Sequence, residues 1–398
     1  MRGRRVAIVG VGMSKSGTSP MPSWELFAGA ALQAVKEAPI DLSAIQALHL
    51  GNVYSSFTEM QTNMAPLALS TLGMDTNIPS IRYETACASA SVAFRQGYLG
   101  ILSGMYDVVL VGGTERLRSI SGSAVQQAMA TSMDMAERNV GLTFAAYWSY
   151  VAKAYARKYH LSDLKLQELL AKISIKNHYH GAFNKKAQFQ KEITMEDVMG
   201  STMVAPPIKL MDCCPFSDGA AALVLCSEKI AKGCRNPVWI LGSGQASGGF
   251  PIADRTDLST NPAITKAAND AYQQAGVGPM DIDVAELHDC VNIHEVICLE
   301  NSGLLKEGEG IYSADERRTY FDGDVPVSVS GGLKSRGHPV GATGAYQLCE
   351  ISQQLRGDFE GKRVKDPEIG MTVNVGGTGA VVTVTILGRE GRKGHGRI

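Results

Sequence analysis

The sequence predicts an α/β protein built from two related halves, with a helical insertion in the first. Apolar runs ending in glycine alternate with alanine-rich stretches of helical period. Their order recurs once along the chain, and a stretch between about residues 117 and 207 has no counterpart in the second copy.

Val6–Gly12 (VAIVGVG) reads as a first strand, Trp24–Glu37 as a helix and Ile45–Leu50 as a second strand. The same sequence of signals returns as the strand Val238–Gly244 (VWILGSG), the helix Pro262–Ala275 and the strand Ile282–Leu287. Pro262 suits a first helical position, where its missing N–H has no partner to lose. The later parts also match. Val109–Thr114 (VLVGGT) and Val373–Thr378 (VNVGGT) each follow a helix, Ala90–Leu102 in one copy and Ala345–Leu355 in the other. Two copies indicate duplication rather than a solenoid. Strands alternating with helices give α/β halves, and unbroken apolar runs such as VVLV and VVTVTIL suit sheets covered on both faces. The insertion carries polar and amphipathic stretches such as Asp163–His178, and we expect it to form a lobe over the active site. The first half resumes with a closing strand at Ser217–Cys226. The expected boundaries are 1–116 with 208–233 for the N-terminal half, 117–207 for the lobe, and 234–398 for the C-terminal half.

Of the 398 residues 44% are hydrophobic and 19% charged, which suits a globular chain with a large core. The net charge of -1 gives no overall field to draw nucleic acid or an anionic membrane. No apolar run reaches the ~20 residues that span a bilayer. The basic start, Met1–Arg5, leads into a strand rather than a secretory signal, so a cytoplasmic location is expected. The eight cysteines show no CxxC spacing, so neither a disulfide framework nor a zinc ribbon is indicated, and no metal is expected.

Four motifs carry chemistry. Cys87 lies in Tyr83–Ser91 (YETACASAS), small residues running into a helix. A helix start favours a thiolate and lowers the thiol pKa from ~8.5; a buried structural cysteine is the other reading. Gly331–Gly344 (GGLKSRGHPVGATG) is a glycine-dense loop that suits a histidine, His338, pointing into a pocket, and it lacks the phosphate-loop pattern. His288 and Cys290, in Glu286–Cys290 (ELHDC), follow a strand end, where α/β sheets bind ligands; a metal pair completed by His294, or packing, are the alternatives. Asn374–Gly379 (NVGGTG) offers backbone N–H groups on a glycine turn, a natural oxyanion binder or a plain strand-end turn.

Together these motifs resemble the thiolase superfamily, in the branch of sterol-carrier-protein-type and archaeal thiolases. The resemblance covers nearly the whole chain and includes SDGA at Ser217–Ala220. It implies two βαβαβαββ halves packed as a five-layer α-β-α-β-α sandwich with an inserted loop lobe. It implies an acyl-CoA C-acyltransferase that cleaves a 3-oxoacyl-CoA with free CoA, or runs the reverse Claisen condensation. Cys87 would take the acyl group, His338 would activate it, and Cys290 would move the α-carbon proton. His338 and His288 would form one oxyanion hole, and the N–H groups of Cys87 and Gly376 the other. Conventional thiolases carry a catalytic cysteine where this chain has Asn374, and Cys290 replaces it by analogy. The branch motif HDCF is HDCV here, with Val291 leaving room for a larger acyl group.

The substrate is then acetoacetyl-CoA or something bulkier such as benzoylsuccinyl-CoA, with Lys334 and Arg336 as candidates for a substrate carboxylate. CoA is a co-substrate, with no resident cofactor. The resemblance also implies a homodimer core and a small zinc-ribbon/OB-fold partner of the DUF35 type. Rival readings are a decarboxylating ketoacyl synthase, a retro-aldolase of the same superfamily and, more remotely, a dinucleotide-binding oxidoreductase. The last fails because Lys15 stands where GxGxxG needs its third glycine.

Overall fold

A computed structural model describes residues 4–120 and 122–390. Its strands are β1 (Val6–Met13), β2 (Leu48–Gly51), β3 (Ser80–Tyr83), β4 (Val108–Glu115), a small hairpin of β5 (Met203–Ala205) and β6 (Ile208–Lys209), β7 (Gly219–Ser227), β8 (Val238–Ser247), β9 (Val284–Glu286), β10 (Ile369–Gly376) and β11 (Val381–Arg389). All but the hairpin join in one mixed sheet in the order β3-β2-β4-β7-β1-β8-β11-β10-β9.

The duplication is visible in this order. In the first half β3, β2 and β4 run parallel, and β7 pairs antiparallel with both β4 and β1. In the second, β9 is parallel to β10, and β11 pairs antiparallel with β10 and β8. The halves meet at a short seam where Ala7 and Ile8 of β1 face Trp239 and Val238 of β8.

The glycines of the repeated strands explain how the helices lie so close. A Cβ on Gly10 or Gly12 would come within 2.0 Å of the carbonyl oxygens of Ala34 and Ala30, on the helix Ser23–Glu37. A Cβ on Gly242 or Gly244 would meet Ala271 and Ala267 in the same way, at 2.2 and 2.0 Å, on the helix Pro262–Ala275. Glycine on the strand and alanine on the helix are thus one packing device used twice.

Five layers result. The helix Ser23–Glu37 covers the outer face of the first half and Pro262–Ala275 that of the second. Between the halves lie the helices Ser89–Leu102 and Thr343–Arg356, which pack on each other and on strands from both. Between β4 and β7 the chain forms helices that include Phe144–Lys158 and Asp163–Gly181. Their buried Trp148, Tyr155, Leu166 and Leu170 join the core of the second half. No helix among the described residues is long and apolar enough to cross a membrane.

Candidate active site

Cys87 sits just before the helix Ser89–Leu102, in a turn that begins with a left-handed alanine: Ala86 has φ 49°. A side chain in that region costs roughly 1–2 kcal/mol, so the turn must be held. Ser89 holds it, accepting from the Thr85 N–H at 2.9 Å and donating to the Ala86 carbonyl at 2.6 Å. Cys87 is only 3% exposed.

Its partner is His338, with Nε2 3.3 Å from the sulfur. The tautomer follows from the other ring nitrogen. Nδ1 lies 2.6 Å from the Thr343 hydroxyl, which itself donates to the Pro339 carbonyl at 3.0 Å. The hydroxyl must then accept from Nδ1–H, and Nε2 is left with a lone pair facing the thiol. The loop is pinned from the first half. The His338 N–H donates to the Ser217 hydroxyl at 2.8 Å, and the Gly341 N–H donates to buried Glu115 at 3.1 Å. Glu115 also accepts from the N–H groups of Val53 and Tyr54. Burial raises its carboxyl to about 7.

The expected lowering of the Cys87 pKa is overturned. Burial pushes the thiol up to about 12, against the smaller opposing pull of the Gly377 and Cys87 N–H groups. Burial, and then Arg336, push the His338 imidazole down to about 3. The pair therefore rests neutral, as thiol and imidazole, rather than as an ion pair.

His288 and Cys290 follow β9 and reach the same crevice. The His288 ring lies edge-on to His338, centroids 5.3 Å apart. Its Nδ1 is 3.0 Å from the Asn374 amide nitrogen. Cys290 Sγ is 3.5 Å from Nδ1 of His294, whose ring lies against Trp148 at 4.4 Å and turns its edge to His288 at 5.5 Å. Burial drives His288 well below its ordinary value and Cys290 well above. The donor atoms of Cys87, His288 and His338 lie within 4.8 Å of one another, as do those of His288, Cys290 and His294. Either set has ligand types that suit a soft divalent cation.

Family comparisons cover nearly the whole chain. The family described as thiolase, N-terminal domain, matches residues 6–229, and the thiolase C-terminal domain-like family matches residues 244–389. The chain belongs to the thiolase family. It is 38% identical over 389 residues to an acetyl-CoA acetyltransferase of Methanothermobacter thermautotrophicus, covering 97% of this chain and 100% of the relative. It is 32% identical to the benzoylsuccinyl-CoA thiolase subunit BbsB of Thauera aromatica, covering 94% and 95%. Among solved structures, the Ltp2-ChsH2(DUF35) aldolase superposes with a TM-score of 0.82 at 23% identity, covering 98% of each chain. The family matches and the acetyltransferase relative make the protein a thiolase-family acyltransferase, of a family whose substrates are CoA thioesters.

Within this thiolase the sequence-predicted residues fare differently. Cys87, His338, His288 and Cys290 converge. Gly376 is the last residue of β10, in register with Val381. The N–H that acts on the Cys87 sulfur is that of Gly377, at φ 60°. Arg336 finds partners within the protein. It is fully buried, pairs with Glu350 at 3.1 Å, donates to the Gly337 carbonyl and lies over the Tyr346 ring. Lys334 is also buried and donates to the Asp212 carbonyl, though its side chain borders a cavity of about 550 Å³ with Arg118, Cys214 and Phe216. A second cavity of about 670 Å³ opens past Ala86 and Gly377 and is walled by Tyr54, Phe57 and Phe250. Val291 is buried in a bridge to Cys213.

Sequence reasoning missed Thr343 and Glu115. Glu115 had a signal, a carboxylate closing an otherwise apolar strand. Thr343 lay inside a quoted motif but had no visible partner. His294 was noted only as a possible extra metal ligand.

Proposed function

We propose that the protein is a CoA-dependent thiolase that cleaves a 3-oxoacyl-CoA through an acyl-enzyme on Cys87. The supporting observation is the Cys87–His338 contact of 3.3 Å with Thr343 fixing the base tautomer. As Cys87 attacks the 3-keto carbon, its proton passes to His338 Nε2. The Cα–Cβ bond then breaks and leaves a CoA enolate, which accepts hydrogen bonds from Nε2–H of His338 and of His288. Cys290 gives its proton to the α-carbon. Free CoA attacks the acyl-enzyme and passes its thiol proton to the Cys290 thiolate. The oxyanion of that step lies at the N–H groups of Cys87 and Gly377. His338 finally returns its proton to the leaving Cys87 sulfur. The reverse direction uses the same groups.

The cavity beside Ala86 and Gly377 supports an acyl group larger than acetyl. Acetoacetyl-CoA and a bulkier aromatic 3-oxoacyl-CoA are the substrates to compare. The reading extends to a homodimer and to a DUF35-type partner. Co-expression with such a partner is expected to raise solubility or activity; recovery at sub-stoichiometric levels with neither effect would count against it.

The test incubates 3-oxoacyl-CoA substrates with enzyme, with and without free CoA. We expect one acyl group on Cys87 without CoA, seen by mass spectrometry, and full turnover with it. Cys87→Ala should abolish both, and near-normal thiolysis by that variant would sink the scheme. Cys290→Ala should still acylate Cys87 but lose α-proton exchange; the opposite pattern would show the two cysteine roles reversed.

A further inference from the structure

We propose that Asn374 is a positioning residue that fixes the tautomer of His288, so that Nε2–H faces the substrate. This rests on the thiolase reading above and deepens it. At this position the chain carries an amide that cannot exchange protons, and the amide is built into a line of hydrogen bonds that ends on His288.

The line starts on β11. Thr383 is the register partner of Asn374, and its hydroxyl lies 2.7 Å from the Ser91 hydroxyl on the helix that follows Cys87. The Ser91 hydroxyl lies 2.7 Å from Asn374 Oδ1 and 2.8 Å from the Ala88 carbonyl, and its one hydrogen serves both. With Oδ1 accepting from Ser91, the NH2 of Asn374 turns to Nδ1 of His288 at 3.0 Å. An amide nitrogen has only hydrogens to offer, so Nδ1 must supply the lone pair, and the neutral ring then carries its proton on Nε2. The amide is confined on a third side as well. A Cβ on Gly344, at the start of the second central helix, would lie 2.7 Å from Asn374 Oδ1 and 2.6 Å from Ser91 Cβ. Every member of the line is buried.

The chemical consequence is specific. An enolate oxygen needs a donor, and a neutral imidazole donates from one nitrogen only. With the proton on Nδ1, His288 would present a lone pair to a developing negative charge. The charged and titratable groups acting on His288 are His338, His294 and Arg336, with Cys87 and Cys290 beside it. The hydrogen bond at Nδ1 is the one to the Asn374 amide, and that amide sets the tautomer.

Two measurements on the full-length protein test this. In protein labelled with ¹⁵N-histidine, with His288 assigned by its loss in His288→Gln, Nε2 should be the protonated nitrogen. Protonation at Nδ1 would overturn the proposal, whatever the enzyme's activity. Asn374→Asp then replaces the donor with a group that accepts once ionised. Neutral His288 would turn its lone pair to the substrate, and a donor would return only when the site takes up a proton. We expect kcat of Asn374→Asp to fall as pH rises, to a plateau ~10²–10³ below the parent, with KM for CoA little changed. A variant whose kcat follows the parent at every pH would overturn the proposal. Should no thiolase activity be found for the parent, the ¹⁵N measurement still decides the tautomer.

Discussion

Burial holds the Cys87 thiol at about 12 and the His338 imidazole at about 3, so at rest the proton stays on sulfur. The rate of Cys87 alkylation by iodoacetamide should then keep rising with pH beyond the ordinary cysteine value of ~8.5. A plateau reached by neutral pH would mean a standing ion pair. Thr343→Val removes the acceptor for Nδ1–H and frees the tautomer, so kcat should drop ~10-fold or more with KM nearly unchanged. The four converging side chains Cys87, His338, His288 and Cys290 were marked in the sequence by their motifs taken together and by the resemblance those motifs carry. Glu115, Thr343 and the Asn374 line were not, because they act through partners that only folding brings near. The burial and pairing of Arg336 were hidden for the same reason: its Glu350 partner lies on the next helix, and a cation in a glycine loop looks free until that helix is placed.

The His338 loop is seated on the end of β4 through glycine. A Cβ on Gly341 would come within 2.8 Å of Asn52 Cα and of the Glu115 carboxylate, and 3.0 Å of the Thr114 carbonyl. Gly341→Ala should cost ~1–3 kcal/mol as an overpacked site, read as a lower Tm. Because the clash lifts the loop that carries His338, kcat should fall as well; a lower Tm with unchanged kcat would show the loop relaxing without moving the base. Helices and strands were largely readable. Pro262–Ala275 forms as the sequence predicts, and the strand expected over Ile45–Leu50 is observed over Leu48–Gly51. What pattern could not supply was a one-residue choice at a strand end, where Gly376 stays in the ladder and Gly377 turns toward the sulfur.

For the molecule as a whole, two sets of buried groups oppose each other in acid. His180, His294 and His338 are lowered from 6.5 to about 3, and His288 moves the same way. Unfolding lets them take up protons, so their contribution is complete above about 6.5 and is lost as pH falls toward 3. Glu115 is raised from 4.5 to about 7, and Glu286, Glu350 and Asp289 are raised by burial too. Their contribution is complete below the ordinary carboxylate value and is lost as pH rises. Between about 4.5 and 6.5 the two sets offset. The unfolding free energy should therefore be greatest in that window and decline on either side; a steady rise up to pH 8 would refute this balance. The two-copy plan also has a chemical consequence. Cys87 and His338 occupy matching places, each in the loop that leads into a central helix, one in each copy, and they face each other at 3.3 Å. A symmetric pair of half-length chains would put identical residues there: two thiols or two imidazoles, but no acid facing a base. Joining the copies in one polypeptide lets the two places differ, so that a thiol can face an imidazole.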